Sequence, residues 1–163
     1  MMIALCKLAL NKRIGSFFLA VIAILLFARA SHALMQPQVY AERALSSDIK
    51  AIAVILEVNI LNTGTRSTEK MVTFKTEYAL TEKTSDRFSG SCHSVDTPEQ
   101  EANTMVGGQI YFYPVQEQRV FVTVRSNGGV ITSFTPITEE LETAIREKPN
   151  RLRYGIGKVE VID

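Results

Sequence analysis

The longest run of alternating apolar positions lies between Ala51 and Leu61. Ile52, Val54, Leu56, Val58 and Ile60 fall on one period-two face, and Ala53, Ile55, Glu57 and Asn59 fall on the other. Successive side chains of a strand point to opposite sides, so this pattern predicts a strand with one fully apolar face and one mixed face. Asn62 to Thr65 reads as a turn, after which Met71 to Leu80 alternates again, Val72, Phe74, Tyr78 and Leu80 against Thr73, Lys75, Glu77 and Ala79. Two long strands joined by a turn form an antiparallel hairpin.

Further on, Arg87 to Val95 is a weaker strand and Asp96 to Asn103 is a loop by composition. Gly107-Gly108 opens a short apolar run, Gln109 to Tyr113, which Pro114 stops. Arg119 to Arg125 and Val130 to Phe134 flank Ser126-Asn127-Gly128-Gly129, and Asn-Gly is the pair that a tight primed hairpin turn demands. Thr138 as a cap, acids at Glu139 and Glu140, bases at Arg146 and Lys148 and then Pro149 outline a helix, with Leu141, Ala144 and Ile145 on its inner side. A shorter helix is expected from Val39 to Leu45 and a last strand around Val159 and Val161. Consecutive hairpins with few helical crossovers predict a mainly β domain: a small antiparallel barrel, closed or partly open, with a short N-terminal helix and one C-terminal helix.

The N-terminal fifth carries a different pattern. Lys7, Lys12 and Arg13 precede an uncharged run from Ile14 to Ala28, followed by Ser31-His32-Ala33. This is the layout of a secretory signal, residues 1–33, with cleavage expected before Leu34 and a cut after Ala30 as the runner-up. The run is short of the about 20 apolar residues needed to span a bilayer. Retention of residues 14–28 as a membrane anchor is therefore the alternative, and contact with the membrane is expected only during export. Cys6 precedes the apolar run, so no lipid anchor is expected.

Cleavage leaves one domain, 34–163, of single-core length. It removes four bases and no acid, so 18 basic and 17 acidic residues become 14 and 17, a net charge of −3. That balance offers no electrostatic footprint for nucleic acid. The expected location is periplasmic or secreted. Only Cys92 then remains, so no intrachain disulfide can form.

The order of a short helix, a long apolar strand entered through Ser47-Asp48, a hairpin, a looped middle and a strand reading RVFVTV (119–124) resembles the netrin-like barrels over Val39 to Phe134. That superfamily includes the tissue inhibitors of metalloproteinases and small secreted bacterial relatives. The resemblance implies an oligonucleotide/oligosaccharide-binding (OB) type barrel that binds a partner through its loops or open face. Those inhibitors chelate a protease's metal through an N-terminal cysteine. Here the expected terminus is Leu34 with no cysteine nearby, so their inhibitory chemistry does not carry over.

Candidate chemistry concentrates in Ser89-Gly-Ser-Cys-His-Ser-Val-Asp96. A Cys92–His93 dyad is disfavoured because neighbours in a strand point to opposite faces. Cys92, His93, Asp96 and Glu99 offer metal-ligand types but fall short of four ligands at recognised spacings. The expected reading is a structural cysteine beside a solvent-facing histidine, with an intermolecular disulfide as a further option. Glu139, Glu140 and Glu142 are explained by the helix dipole, and Gly107-Gly108 and Gly128-Gly129 by turns. Of Tyr111, Phe112 and Tyr113, Phe112 is expected in the core with the tyrosines outside. No catalytic, metal or cofactor residue is therefore assigned. The expected function is an exported, non-enzymatic binding or interaction module for a protein or small ligand of the cell envelope. The alternative is a thiol- or metal-dependent envelope protein using Cys92 and His93.

Overall fold

The computed structural model describes residues 36–104 and 108–162; the expected signal segment, its cleavage points and Gly107 lie outside them. Residues Met35–Asp163 form one compact unit. In order it contains α1 (Pro37–Leu45), β1 (Ile49–Thr63), β2 (Thr68–Ala79), β3 (Arg87–Ser94), α2 (Pro98–Asn103), β4 (Arg119–Val124), β5 (Ile131–Pro136), α3 (Glu139–Glu147), a 3-10 turn (Pro149–Arg151), β6 (Leu152–Tyr154) and β7 (Val159–Val161). Strands β1 to β5 make a five-stranded antiparallel sheet in the order β3-β2-β1-β4-β5, while β6 and β7 pair separately. Among the described residues no helix is long and apolar enough to cross a membrane.

The expected mainly β fold and the β1–β2 hairpin are present, but the sheet is not a closed barrel. Its edge strands meet at one end only, where Ser91 N–H donates to Gly129 O at 2.8 Å and Gly128 N–H to Ser89 O at 2.9 Å. An isolated parallel bridge joins Ser91 to Val130. Beyond Ser91 the free edge of β3 is taken instead by Tyr111–Phe112, with Phe112 N–H donating to His93 O at 2.8 Å. Two segments share one strand edge, and neither builds a ladder along it. This is also why Gln109–Tyr113, expected as a strand, makes only a single bridge.

The β4–β5 connection departs from a tight primed turn for a related reason. Among its residues only Gly128 has positive φ, 78°. Asn127 is instead recruited to β3, its Oδ1 accepting from Ser89 N–H at 2.9 Å. The loop is shaped by its junction with β3 as much as by its own hairpin.

Burial of β1 corrects the expected faces. Ile49, Ala51, Ala53 and Ile55 line the main core with Val72, Phe74, Phe88, Cys92, Phe112, Val120, Val122, Val124 and Ile131. Within it the rings of Phe74 and Phe88 stack 5.0 Å apart. Ile52, from the apolar face, belongs to a second cluster with Phe121, Leu141, Ala144, Ile145, Leu152 and Val159. β1 is therefore buried on both sides over its first half. Near its middle a bulge between Ile55 and Glu57 shifts the register, so Val58 packs on the main core while Ile60 stays exposed. A period-two reading cannot anticipate such a change of phase, because one inserted residue moves every later side chain to the other face.

Helix α3 closes the second cluster. Thr138 caps it, its Oγ1 accepting from Leu141 N–H at 3.2 Å, and Leu141, Ala144 and Ile145 are its buried residues as expected. Helix α1 packs against β5 and β6. Its C-terminal end is tied by a hydroxyl chain from Ser47 to Thr132 (2.7 Å), Thr132 to Thr123 (2.6 Å) and Thr123 to Ser133 (2.8 Å).

Candidate functional site

β3 alternates strictly: Phe88, Gly90, Cys92 and Ser94 point inward and are buried, while Ser89, Ser91 and His93 point out and are half-buried. Cys92 and His93 are thus separated by the strand itself and form no dyad. Burial pushes the Cys92 thiol up to about 11, against a smaller downward pull from the Lys70 cation. His93 Nδ1 lies 3.2 Å from the Ser67 hydroxyl, on the opposite face. Cross-strand pairs of an antiparallel sheet share a face, so the register Ile60↔Lys70↔Cys92 sets these three side chains in one row across β1, β2 and β3.

Lys70 leads from this row to the surface. Its ammonium pairs with Asp96 Oδ2 at 2.9 Å, just beyond the end of β3. Partial burial favours the neutral form of Asp96, but hydrogen bonding and the charge of Lys70 outweigh it and hold the carboxyl below its ordinary value. Asp96 is therefore committed to an ion pair. Among the described residues no group of three His, Cys, Asp or Glu side chains is placed to hold a metal ion.

Asp96 to Asn103, expected as a loop, contains α2. Thr97 Oγ1 accepts from Gln100 N–H at 3.2 Å and Pro98 occupies the first turn. Gln100 is the buried residue of this helix: its Oε1 accepts from Asp96 N–H at 2.8 Å, and its amide donates to Gly64 O at 2.9 Å and to Thr68 Oγ1 at 3.0 Å. One side chain thereby ties the exit of β3, α2 and the tip of the β1–β2 hairpin. The signal was present as Thr97-Pro98-Glu99-Gln100, a cap, a helix-starting proline and a glutamine three residues after the cap.

Between these elements lies an open cleft of about 620 Å³. It is lined by Val95 to Pro98, by Glu101 of α2 and Thr104 just after it, and by Tyr111 and Tyr113 of the segment that joins β3 at His93. Phe112, between the tyrosines, is buried in the core; Tyr111 is half-buried and Tyr113 is 57% exposed, the alternation expected from the sequence. The Phe112 anchor fixes where the two flanking rings stand. Glu99, weighed with Asp96 as a ligand, is exposed and does not line the cleft.

No protein-family model, curated protein or solved structure matches this chain.

A second open groove of about 620 Å³ runs beside α3 and includes Glu139, Glu140 and Lys148. The third acid of the expected cluster, Glu142, turns instead to Arg119 at 3.2 Å and Arg146 at 2.9 Å. Hydrogen bonds from Arg119 and then Arg146 hold the Glu142 carboxyl below its ordinary value.

Proposed function

We propose that this chain is an exported binding or interaction module rather than an enzyme, acting in the periplasm or outside the cell. The cleft carries the reading: two tyrosine rings, a proline and polar side chains surround an open concavity, on segments whose neighbouring residues Phe112 and Gln100 are buried. Small-ligand and peptide sites combine apolar and aromatic walls with a few fixed polar groups in this way. The thiol of Cys92, buried and raised in pKa, supports a binding role over thiol chemistry.

The same reading takes the sheet as a partly open OB-type barrel. The junction of Ser89–Ser91 with Gly128–Val130 supports it, as does the meeting of the two edge strands of a five-stranded antiparallel sheet. On this reading the resemblance to netrin-like barrels extends to architecture and to binding through loops, without the metal-chelating N-terminus. The occupant of the cleft is a protein or small ligand of the cell envelope.

Immobilised residues 34–163, offered a cell-envelope or culture extract, should retain a specific component. The double substitution Tyr111→Ala/Tyr113→Ala should release it. Retention of nothing, or retention unaffected by the double substitution, refutes the cleft as the binding site.

A further inference from the structure

β1 is 15 residues long, but β4 pairs with only its first part. The β1–β4 register ends at Val54↔Arg119, and the last contacts on that side are Ile55 N–H to Gln118 O at 3.0 Å and Glu117 N–H to Ile55 O at 2.8 Å. There the neighbouring chain turns away, with Glu117 in the left-handed region at φ 67°. From Leu56 to Thr63, β1 pairs with β2 on one side, and among the described residues no strand lies on the other.

An open edge offers a row of backbone donors and acceptors, which natural sheets blunt with Lys, Pro, bulges or a covering element. Residues 56–63 read Leu-Glu-Val-Asn-Ile-Leu-Asn-Thr, with no Lys, Arg or Pro. Bulges fall at Leu56 and Leu61, leaving Glu57 to Ile60 in regular register. Ile60 is 64% exposed and Leu61 53%, and Val115, where the neighbouring chain approaches, is 62% exposed. The unpaired edge and the exposed apolar side chains coincide.

We infer that this edge pairs with its own counterpart in a second copy of the chain, antiparallel about a two-fold axis near Ile60, joining two five-stranded sheets into one. Charge favours this occupant. Glu57 is the sole charged residue in the segment, and self-pairing centred on Ile60 sets it opposite Thr63, while centring between Asn59 and Ile60 sets it opposite Asn62. No like charges meet in either register, and Ile60 and Leu61 are covered on both partners at once. The edge is about 26 Å long at the usual rise per residue. The interface is therefore smaller than the about 1,600 Å² of a standard stable complex, and the dimer is a weak one. The inference does not depend on the cleft, which lies beyond the end of β3.

The test is sedimentation velocity on residues 34–163 from about 10 µM to about 1 mM, with hydrogen exchange at both ends of the range. The weight-average mass should rise towards that of a dimer, and the amides of 57–63 that face away from β2 should gain protection as it does. Ile60→Lys, at an exposed position opposite Lys70, should abolish the rise; the like charges should lower the thermal midpoint only slightly and leave the circular dichroism of the sheet unchanged. The inference is overturned by a monomer throughout, by a dimer in which these amides gain no protection, or by an Ile60→Lys chain that associates like the parent. A chain that stays monomeric but gains protection at 57–63 in envelope extract has its edge covered by a foreign strand, which also overturns it.

Discussion

Gly90 of β3 lies against Ile131 of β5, the opposite edge strand, and Gly90→Ala tests that junction. A Cβ built there lies 2.7 Å from Ile131 Cγ1 and 3.2 and 3.3 Å from the two Val124 methyl carbons. Carbon pairs settle at about 3.5–4.0 Å, so Ile131 has to retreat by most of an ångström. Both neighbours are β-branched and buried, with stiff first torsions and packed surroundings, and neither can swing away cheaply. Overpacking of this kind costs about 1–3 kcal/mol. Alanine recovers about 0.4–1 kcal/mol by restricting the unfolded chain. The net expectation is a loss of about 1–2 kcal/mol, a fall of several degrees in thermal midpoint for a domain of this size. Urea denaturation followed by circular dichroism measures it, with an unchanged slope showing that the transition itself is the same. Hydrogen exchange adds a local readout, because Ser91 N–H, bonded to Gly129 O, should lose more protection than amides in β1. An alanine variant as stable as the parent, with Ser91 equally protected, refutes the claim that the edges are packed together there.

Three further outcomes follow from the same geometry. With its thiol raised to about 11, Cys92 is thiolate in only about one molecule in 10⁴ at neutral pH; a disulfide reagent should label it slowly in the folded chain and fast in denaturant, and fast labelling without denaturant would contradict its burial. Gln100→Ala strips the buried links to Gly64 O and Asp96 N–H and should cost about 2–3 kcal/mol by urea melts, whereas a loss under about 0.5 kcal/mol would show that the clamp is not needed. Asp96 has a folded pKa below its ordinary 3.8, so the unfolded chain takes the proton first; its contribution is complete above that value and is lost as pH falls through the lower folded one. Asp96→Asn, part-exposed and solvent-screened, should therefore cost about 0.5–1 kcal/mol at neutral pH and progressively less as pH falls below the ordinary 3.8, and a pH-independent difference would refute the ion-pair account.

The hairpins, α3 with its cap and the inward Phe112 were legible because each depends on residues close together in sequence. Thr138 and the period of Leu141, Ala144 and Ile145 are local facts, and the structure keeps them. The face of β1 was not legible. Its first half is buried on both sides, and the bulges at Leu56 and Leu61 that reset its phase arise from pairing with β2 rather than from any signal within β1. The turn at Asn127 failed in the same way, since the side chain that would have served a primed turn bonds to Ser89, 38 residues away. Of the candidate site, Cys92 and His93 on opposite faces of a strand followed from periodicity. The cleft did not, because it joins residues 95–104 to Tyr111 and Tyr113 through one bridge at His93, and only the three-dimensional path of the chain supplies that contact.

The cleft and the open edge of β1 share one cause. A five-stranded antiparallel sheet that paired fully along every edge would expose no backbone and little concavity. In this chain pairing stops short twice. On β3 the outer edge is divided between Gly128–Val130 and Tyr111–Phe112, and the two diverging segments leave room for the cleft beside Tyr111 and Tyr113. On β1 the outer edge is covered by β4 only as far as Val54, because the chain entering β4 turns at Glu117, and the remainder carries Ile60 and Leu61 into solvent. One incomplete ladder makes a concave site suited to a ligand, and the other makes an extended edge suited to a strand. Ile60→Lys and the Tyr111/Tyr113 double substitution should therefore act independently, each removing one kind of association and leaving the other intact.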